Sequence, residues 1–241
     1  MLCNLIMPMA GAGSRFLKNG IRTPKPLIDL SGKPFFVRSL ESVWGKCSVD
    51  QLVFAVLKAH VRDFGVDQII SQYFPSATIL ILEDVLNGPV YTLEKCMEEI
   101  RDRKLPVLVN DCDHYFQSEH LLRFLNGNPK MNQEVGVLFF NSKSPQYSYL
   151  EYNADKLTGV VEKQPVSDRA ICGAYLFRDA EVIEKLIKMA RKKTDSELYL
   201  SFLLNEVCKT GGTFLTFNCE KHLSFGTPEE LKAVLESRFF E

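Results

Sequence analysis

Six residues near the start of the chain have types and spacing suited to binding phosphate. A short apolar run ends in a loop of four small residues, and two basic residues follow it. In chain order they are Ala10, Gly11, Ala12, Gly13, Arg15 and Lys25. Small residues let a backbone approach a ligand closely, and their N–H groups can point at phosphate oxygens. Arg and Lys side chains neutralise phosphate charge. The segment therefore predicts a nucleoside triphosphate site in which Arg15 and Lys25 contact phosphates.

The glycines of this loop are also compatible with a simple turn. The dinucleotide pattern G-x-G-x-x-G is absent because Phe16 stands at its last position, and the P-loop pattern ending in Gly-Lys-Ser/Thr is absent as well. A tight turn between a strand and a helix explains two glycines equally well. The basic residues, Arg15 and a lysine held between Pro24 and Pro26, favour the binding site.

A second group of polar residues follows a buried apolar segment. Residues 107–110 read Val-Leu-Val-Asn, and Asp111 and Asp113 come next. Because Mg²⁺ prefers one or two carboxylates together with phosphate oxygens and water, this pair predicts a magnesium site at a strand end. The alternative is a solvated turn rich in Asn and Asp.

Several segments, taken in order, resemble the sugar-phosphate nucleotidyltransferases, which include glucose-1-phosphate thymidylyltransferases and choline-phosphate cytidylyltransferases. They are the loop ending in Gly-x-Arg, Pro-Lys-Pro, the acidic strand end, Val-x-Glu-Lys-x-Pro at 160–165, Gly-Ala-Tyr at 173–175 and Gly-Thr-Pro at 226–228. The resemblance spans nearly the whole chain. It implies an α/β fold with a Rossmann-like, mainly parallel mixed sheet flanked by helices, of the nucleotide-diphospho-sugar transferase or GT-A-like type.

The resemblance also implies a reaction and a set of roles. A phosphate oxygen of an acceptor attacks the α-phosphorus of an NTP with Mg²⁺ as cofactor, and pyrophosphate leaves. Arg15 and Lys25 are the implied catalytic residues, and Asp113 is the implied metal ligand, with Asp111 second. The residues implied to contact the nucleotide are Ala10, Gly11, Ala12, Gly13, Asn87, Gly88 and Asp111. The residues implied to contact the acceptor are Glu162, Lys163, Gly173 and Glu197.

Some of these residues have ordinary structural explanations. An isolated Glu162–Lys163 pair is typical of a solvated hairpin end. Asn87 suits the cap of a helix, and Glu197 suits a first helical turn, where the helix dipole favours an acid.

The chain departs from the family pattern at one position. Ser224 stands where the resemblance places a second metal carboxylate, two residues before the Gly-Thr pair. A serine hydroxyl is a poor ligand for Mg²⁺, which leaves open whether a second metal binds. Three other functions stay open. The compact length is similar to that of cytidylyltransferases for a non-sugar phospho-acceptor, the Asp111-x-Asp113 pair is also compatible with a metal-dependent glycosyltransferase, and Ser224 keeps open a non-catalytic nucleotide sensor.

Composition limits the class of protein. The 241 residues are 46% hydrophobic with a net charge of −1. This suits one domain with a nucleotide-binding half at about 1–140 and an acceptor-binding half at about 141–241. The charge predicts no nucleic-acid partner, and no apolar run reaches the length of a membrane span or reads as a signal peptide. We expect a cytoplasmic protein with reduced cysteines. Its expected partners are an NTP and a phosphorylated acceptor, its oligomeric state is open, and the resemblance implies a role in capsule or lipopolysaccharide precursor synthesis.

Strand and helix signals alternate in the first half of the chain. They predict strands at 3–9, 51–57, 78–82, 106–110 and 134–140 and helices at 35–44, 61–73, 89–101 and 118–125. The second half predicts strands at 147–152, 156–162, 170–177 and 213–217, a hairpin turn at 153–155, and helices at 180–192, 197–209 and from 228. The alternation predicts right-handed crossovers and parallel strands, with ligands bound beyond their carboxyl ends.

Overall fold

The computed structural model describes residues 1–127, 130–154, 156–191 and 197–241. Within these ranges the chain forms a nine-stranded sheet and two small two-stranded sheets. The strands are β1 (Cys3–Pro8), β2 (Asp29–Leu30), β3 (Lys33–Pro34), β4 (Val49–Leu57), β5 (Thr78–Leu82), β6 (Val107–Asn110), β7 (His114–Gln117), β8 (Val135–Asn141), β9 (Ser148–Asn153), β10 (Lys156–Glu162), β11 (Arg169–Phe177), β12 (Phe214–Asn218) and β13 (Lys221–Ser224). The α-helices are α1 (Ser14–Lys18), α2 (Phe35–Leu40), α3 (Lys58–Phe64), α4 (Val66–Tyr73), α5 (Pro89–Glu99), α6 (Glu119–Asn126), α7 (Ala180–Arg191), α8 (Leu200–Lys209) and α9 (Pro228–Glu236).

The large sheet is mixed: a run of four parallel strands comes from the first half of the chain, and β12 pairs with β8 in parallel. Its strand order is β10-β9-β11-β6-β1-β4-β5, with β8 beside β11 and β12 beside β8. Strands β6, β1, β4 and β5 run parallel to one another, and β11 runs antiparallel to β6, β8 and β9. The predicted mixed α/β sheet flanked by helices is confirmed.

Apolar side chains alternate between the two faces of the central strand β1. Leu5 and Met7 pack in a buried cluster with residues of α2, α4 and α6, whereas Ile6 packs in a cluster with residues of α5, α7 and α8. Successive side chains of a strand point to opposite faces, and a strand covered on both faces must therefore be apolar throughout. A third cluster, which includes Phe16, Phe35 and Phe225, packs α9 against this layered core.

Two of the predicted helices are broken or end earlier in the structure than the sequence pattern indicates. The helix predicted at 61–73 is two helices, α3 and α4, because Gly65 between them adopts a left-handed conformation with φ of 60°. The helix predicted at 35–44 ends at Leu40 and continues as turns. The short strands β7 and β13, which pair with each other, were not predicted.

Three parts of the predicted pattern fall outside the described residues. They are Asp155 in the hairpin turn, Lys192 at the end of the α7 prediction, and Ser196 before Glu197. In the described ranges no helix combines the length and the apolar character needed to cross a membrane.

The carboxyl ends of two neighbouring strands bring the two predicted motifs together. Strand β1 ends in the Gly11 loop and β6 ends at Asn110, and the two strands pair in parallel. The register of β11 shifts between Ile171 and Tyr175, around Gly173 with φ of 79°. Because a bulge re-aims the chain, β11 bends beside the end of β6, and the Asp111 N–H donates to the Gly173 carbonyl at 3.1 Å.

Candidate active site

Two adjoining pockets lie at these strand ends. The first, here the loop pocket, is lined by residues that include Met9, Ala10, Gly11, Ala12, Gly13, Lys25, Leu86, Gly88 and Glu197. The second, here the β11 pocket, is lined by residues that include Arg15, His114, Tyr147, Glu162, Cys172, Gly173, His222, Ser224, Gly226 and Glu230. Pro89, Asp111 and Asp113 line both pockets. The two acidic residues therefore stand at the boundary between the pockets.

Glycines shape the wall of the loop pocket. Gly13 adopts a left-handed conformation with φ of 63° immediately before α1, and a Cβ there would lie 3.4 Å from the Cβ of Lys25. This close approach sets Lys25 against the end of the loop. Asn87 is exposed and contributes its backbone carbonyl, which accepts a hydrogen bond from the Leu198 N–H at 3.2 Å. The N-cap of α5 is Gly88 rather than Asn87.

An ion pair joins the two predicted phosphate and metal residues. Lys25 Nζ lies 2.8 Å from Asp113 Oδ2, and the two side chains are 28% and 23% exposed. Burial is the largest single effect and works to lower the pKa of Lys25, but the charge and hydrogen bond of Asp113, together with the charges of Cys112 and Asp111, outweigh it and the pKa rises. Burial likewise works to raise the pKa of Asp113, but the charge and hydrogen bond of Lys25 bring it below its usual value. Both groups are therefore charged at neutral pH.

The pKa of the neighbouring carboxyl group, that of Asp111, is shifted in the opposite direction. Burial raises the pKa of Asp111 to about 7, and the negative charge of Asp113 adds to that effect. Asp111 therefore exchanges a proton near neutral pH, and a cation placed beside it favours its charged form.

The donor set at the boundary fits a hard divalent cation. Asp111 and Asp113 supply carboxylate oxygens, which Mg²⁺ prefers together with phosphate oxygens and water. A Cβ on Gly226 would lie only 2.5 Å from Asp113 Oδ2, and the missing side chain keeps the space beside that carboxylate open. Ser224 lines the β11 pocket and pairs in register with His114.

Hydroxyl groups hold the predicted acceptor carboxylate in the β11 pocket. Glu162 accepts hydrogen bonds from the Ser148 hydroxyl and, at 3.0 Å, from the Ser201 hydroxyl. Across the pocket the Tyr147 hydroxyl donates to Glu230 at 2.8 Å. A carboxylate fixed by two hydroxyls can accept further hydrogen bonds from the hydroxyls of a bound molecule.

Some residues do not line the pocket that holds most of the residues predicted to share their role. Arg15, predicted to contact the NTP phosphates, follows Ser14 at the start of α1 and lines the β11 pocket. Glu197, expected at the acceptor, lines the loop pocket, where its Cγ packs against Gly88. Lys163 is exposed and lines neither pocket. Its positive φ of 55° ends β10, and its ammonium lies 5.9 Å from the centre of the Tyr199 ring.

Two histidines of the β11 pocket are not among the site residues predicted from the sequence. His114 directly follows Asp113 in the chain, and His222 shares no spacing with His114. The pairing of β7 with β13 brings their rings to 5.8 Å, measured between centroids. Burial lowers the pKa of His114 to about 4 and that of His222 to about 3. Both rings are therefore neutral at neutral pH.

These two pKa values predict an acid-sensitive fold. The folded pKa of each ring lies below the unfolded value of 6.5. The unfolded chain therefore binds protons first, and stability that is present above pH 6.5 is lost as pH falls towards 4. Each pKa unit corresponds to roughly 1.4 kcal/mol. Denaturant unfolding from pH 7 to 4.5 should show a shallower loss in the double variant H114Q/H222Q than in wild type or in H120Q. Equal slopes would contradict this account.

Replacing Gly88, which lines the loop pocket, with Ala is expected to destabilise the fold. A Cβ there would lie 2.5 Å from the Leu198 carbonyl oxygen and 2.7 Å from its nitrogen, and φ is 113°. Because these neighbours are backbone atoms, G88A should lower the free energy of unfolding by about 2–4 kcal/mol, beyond the 1–3 kcal/mol of backbone strain alone. G45A is the matched control, since Gly45 has a φ of 74° and nothing within 4 Å of its Cβ position. Thermal melts giving equal losses for both variants would refute the close contact.

Comparison with known proteins places this fold. No family model matches the chain, and no curated protein matches it. Among solved structures, a nucleoside-diphosphate-sugar pyrophosphorylase from Vibrio cholerae RC9 is similar with a TM-score of 0.79 and 21% identity, covering 96% of this chain and 99% of that one. A putative glucose-1-phosphate thymidylyltransferase from Bacillus anthracis has a TM-score of 0.78 at 19% identity, covering 98% and 95% of the two chains. The inositol-1-phosphate CTP transferase of T. maritima has a TM-score of 0.79 at 15% identity, covering 100% and 97%.

The likeness spans nearly the full length of each of these chains. It confirms the fold expected from the motifs. At identities of 15–21% it establishes the fold and not the activity. The chain has the fold of structures named as a nucleoside-diphosphate-sugar pyrophosphorylase, a putative glucose-1-phosphate thymidylyltransferase and an inositol-1-phosphate CTP transferase.

Proposed function

We propose that this protein is a nucleotidyltransferase that joins an NTP to a phosphorylated acceptor with release of pyrophosphate. The observation that carries the proposal is the Lys25–Asp113 pair at the boundary of two adjoining pockets. One pocket has the small-residue loop that suits a triphosphate, and the other has fixed carboxylates and hydroxyls that suit a polar acceptor. The names of the structural relatives support the same reaction class.

The loop pocket would hold the nucleotide. Backbone N–H groups of residues 10–13 suit phosphate oxygens, and Lys25 offers a cation at the boundary with the acceptor. No covalent intermediate is needed, since catalysis here consists of positioning two anions and offsetting their repulsion. Asp113 and Asp111 would hold Mg²⁺, which would supply positive charge to offset the negative charge of the phosphates.

The β11 pocket would hold the acceptor. Glu162 is placed to accept hydrogen bonds from acceptor hydroxyls, and Gly173 lets the molecule approach the bent strand closely. Arg15 lines this pocket and offers a cation for the acceptor phosphate. Lys163, at the rim over Tyr199, would attract that phosphate from outside.

The charge of the β11 pocket favours a second acceptor class, a phosphorylated amino alcohol. Its lining holds four acidic residues, Asp111, Asp113, Glu162 and Glu230, and one arginine. Its rings include Tyr147, Tyr175 and Tyr199. Carboxylates and aromatic faces together suit a cationic head group. With either acceptor, the product would be an activated precursor of the kind used for surface polysaccharides such as capsule or lipopolysaccharide.

Pyrophosphate release tests the proposal. The protein would be incubated with Mg²⁺ and each of ATP, GTP, CTP, UTP and dTTP, against a panel of sugar 1-phosphates, inositol 1-phosphate, phosphocholine and phosphoethanolamine. Release that needs both one NTP and one acceptor supports the proposal and names both substrates. NTP binding without release from any pair favours a nucleotide sensor. Absence of NTP binding, with transfer from a ready-made nucleotide sugar, favours a glycosyltransferase.

A further inference from the structure

Three side chains from three strands form a compact cluster at the base of the β11 pocket. His114 lies on β7, Cys172 on β11 and His222 on β13. One ligand atom from each, two imidazole nitrogens and one sulfur, lie within 4.8 Å of one another. All three residues also line the pocket, which gives solutes access to the cluster. Imidazole and thiolate are the donors preferred by zinc and similar cations, whereas Mg²⁺ prefers oxygen.

A hydrogen-bond chain fixes the orientation of the His114 ring. The Asn110 amide nitrogen donates to the Ser39 hydroxyl at 2.9 Å, which assigns Asn110 Oδ1 as an acceptor. That oxygen lies 3.0 Å from His114 Nε2, and Nε2 must therefore carry the proton. The lone pair of Nδ1 then faces Cys172 Sγ at 3.7 Å. Histidines that bind metals show this arrangement, with the second ring nitrogen donating to a fixed oxygen.

The second histidine is held by stacking and by strand pairing. The His222 ring stacks on Phe140 with centroids 3.7 Å apart. Its strand pairs with β7, where His222 is opposite Phe116 in the register. Two rings and one thiol are thus held close together before any cation binds, which lowers the entropic cost of assembling a site.

Space for a further ligand lies beside the cluster. A Cβ on Gly173 would lie 2.9 Å from Asp111 Oδ2 and 3.2 Å from His114 Nδ1, and glycine leaves this volume open to the pocket. Three protein ligands with an open fourth position are typical of accessible zinc sites.

We propose that His114, Cys172 and His222 bind a thiophilic divalent cation of the Zn²⁺ type at the base of the β11 pocket. The sulfur binds as a thiolate, and the thiol proton passes to solvent. A cation there occupies the space in which the acceptor would lie. Resting on the proposed function, the inference is that Zn²⁺ inhibits the enzyme by competing with the acceptor and not with the NTP.

Cobalt titration of the whole protein tests the site without using any substrate. Co²⁺ bound to thiolate gives a charge-transfer absorption band, and tetrahedral Co²⁺ gives intense visible bands. With the thiols kept reduced, wild type should show one equivalent of both, and Zn²⁺ should abolish them. C172S should lose the charge-transfer band, and H222Q should weaken the visible bands.

Matched controls separate this site from adventitious thiol binding. Cys47 and Cys208 are more accessible than Cys172 and lie outside the cluster, and C47S and C208S should titrate like wild type. Circular dichroism would confirm that each variant folds. The inference is overturned if wild type shows no thiolate band, if that band survives in folded C172S, if the visible bands are unchanged in folded H222Q, or if the thiolate band disappears in a control variant.

A kinetic arm tests the link to the acceptor once the substrates are known. Zn²⁺ should raise the KM for the acceptor and leave the KM for the NTP unchanged. Cobalt binding together with a null result in every pyrophosphate assay would uphold the metal site and reject the proposed function. Catalysis without cobalt binding would uphold the proposed function and reject the metal site.

Discussion

Replacing Lys25 with Ala is expected to lower kcat by about 10²–10³-fold, the scale of removing one preorganised charge stabiliser. The lysine lines the loop pocket, and its ammonium lies 2.8 Å from the carboxylate of Asp113, which lines both pockets. Its loss removes a cation from the place where two anionic substrates would approach each other. The partly buried Asp113 is also left unpaired, which should lower the free energy of unfolding by about 1–3 kcal/mol. Steady-state pyrophosphate release and denaturant titration measure the two effects.

The matched control for this variant is K18A. Lys18 is an exposed lysine of α1 and lines neither pocket, and its removal should leave kcat within about twofold of wild type, as is usual for surface changes. K25R keeps the positive charge but changes its shape, because a planar guanidinium does not reproduce a point charge. It therefore separates the effect of the charge from the effect of its position. Turnover near the wild-type level in folded K25A would refute the catalytic assignment.

Replacing Asp113 with Asn is expected to have a comparable effect for a different reason. The amide keeps the size of the side chain but removes the charge that pairs with Lys25 and that suits Mg²⁺. We expect kcat to fall by about 10²–10³-fold and the half-saturating Mg²⁺ concentration to rise. Turnover measured across a magnesium titration separates these two effects.

D50N and a double variant complete this test. Asp50 is an exposed acid near the amino end of β4, whereas the site lies at the carboxyl ends of the parallel strands. Its replacement should change neither kcat nor the half-saturating Mg²⁺ concentration. Because Lys25 and Asp113 contact each other, the K25A/D113N loss should be smaller than the product of the single losses. Full additivity, or an unchanged magnesium dependence in D113N, would contradict the shared role.

Sequence patterns were sufficient for the elements that local chemistry dictates. The apolar runs of β1 and β6 identify strands buried on both faces, and the alternation with helices predicts the parallel order around β1. Breaks that depend on a single backbone conformation were not visible. Gly65 was read as part of one helix, although its left-handed conformation separates α3 from α4.

The site was predictable only as far as its motifs are continuous in sequence. The Gly11 loop, Lys25 and Asp113 could be placed together because β1 and β6 end at one edge of the sheet. The cluster of His114, Cys172 and His222 could not, because it depends on three strands that meet only after folding. No spacing rule joins ligands so far apart in the chain.

Assignment of residues to one pocket or the other was the weakest part of the sequence analysis. If the loop pocket binds the nucleotide and the β11 pocket the acceptor, as proposed, Arg15 and Glu197 line the pockets opposite to those the resemblance implies, and Lys163 lines neither. The direction of a side chain next to a loop depends on how the loop packs. A sequence motif predicts which residues lie near the site but not where their side chains point. The directions of Arg15 and Lys163 depend on the short helix α1 and on the turn after β10.

Isotope tracing tests the central claim most directly. With the NTP and acceptor that the screen identifies, the acceptor phosphate would carry ¹⁸O in its non-bridging oxygens, and mass spectrometry would follow the label. Attack of that phosphate on the α-phosphorus predicts that all ¹⁸O stays in the nucleotide-linked product and that pyrophosphate carries none. Label in pyrophosphate or in inorganic phosphate, or a product lacking the acceptor phosphate, would contradict nucleotidyl transfer.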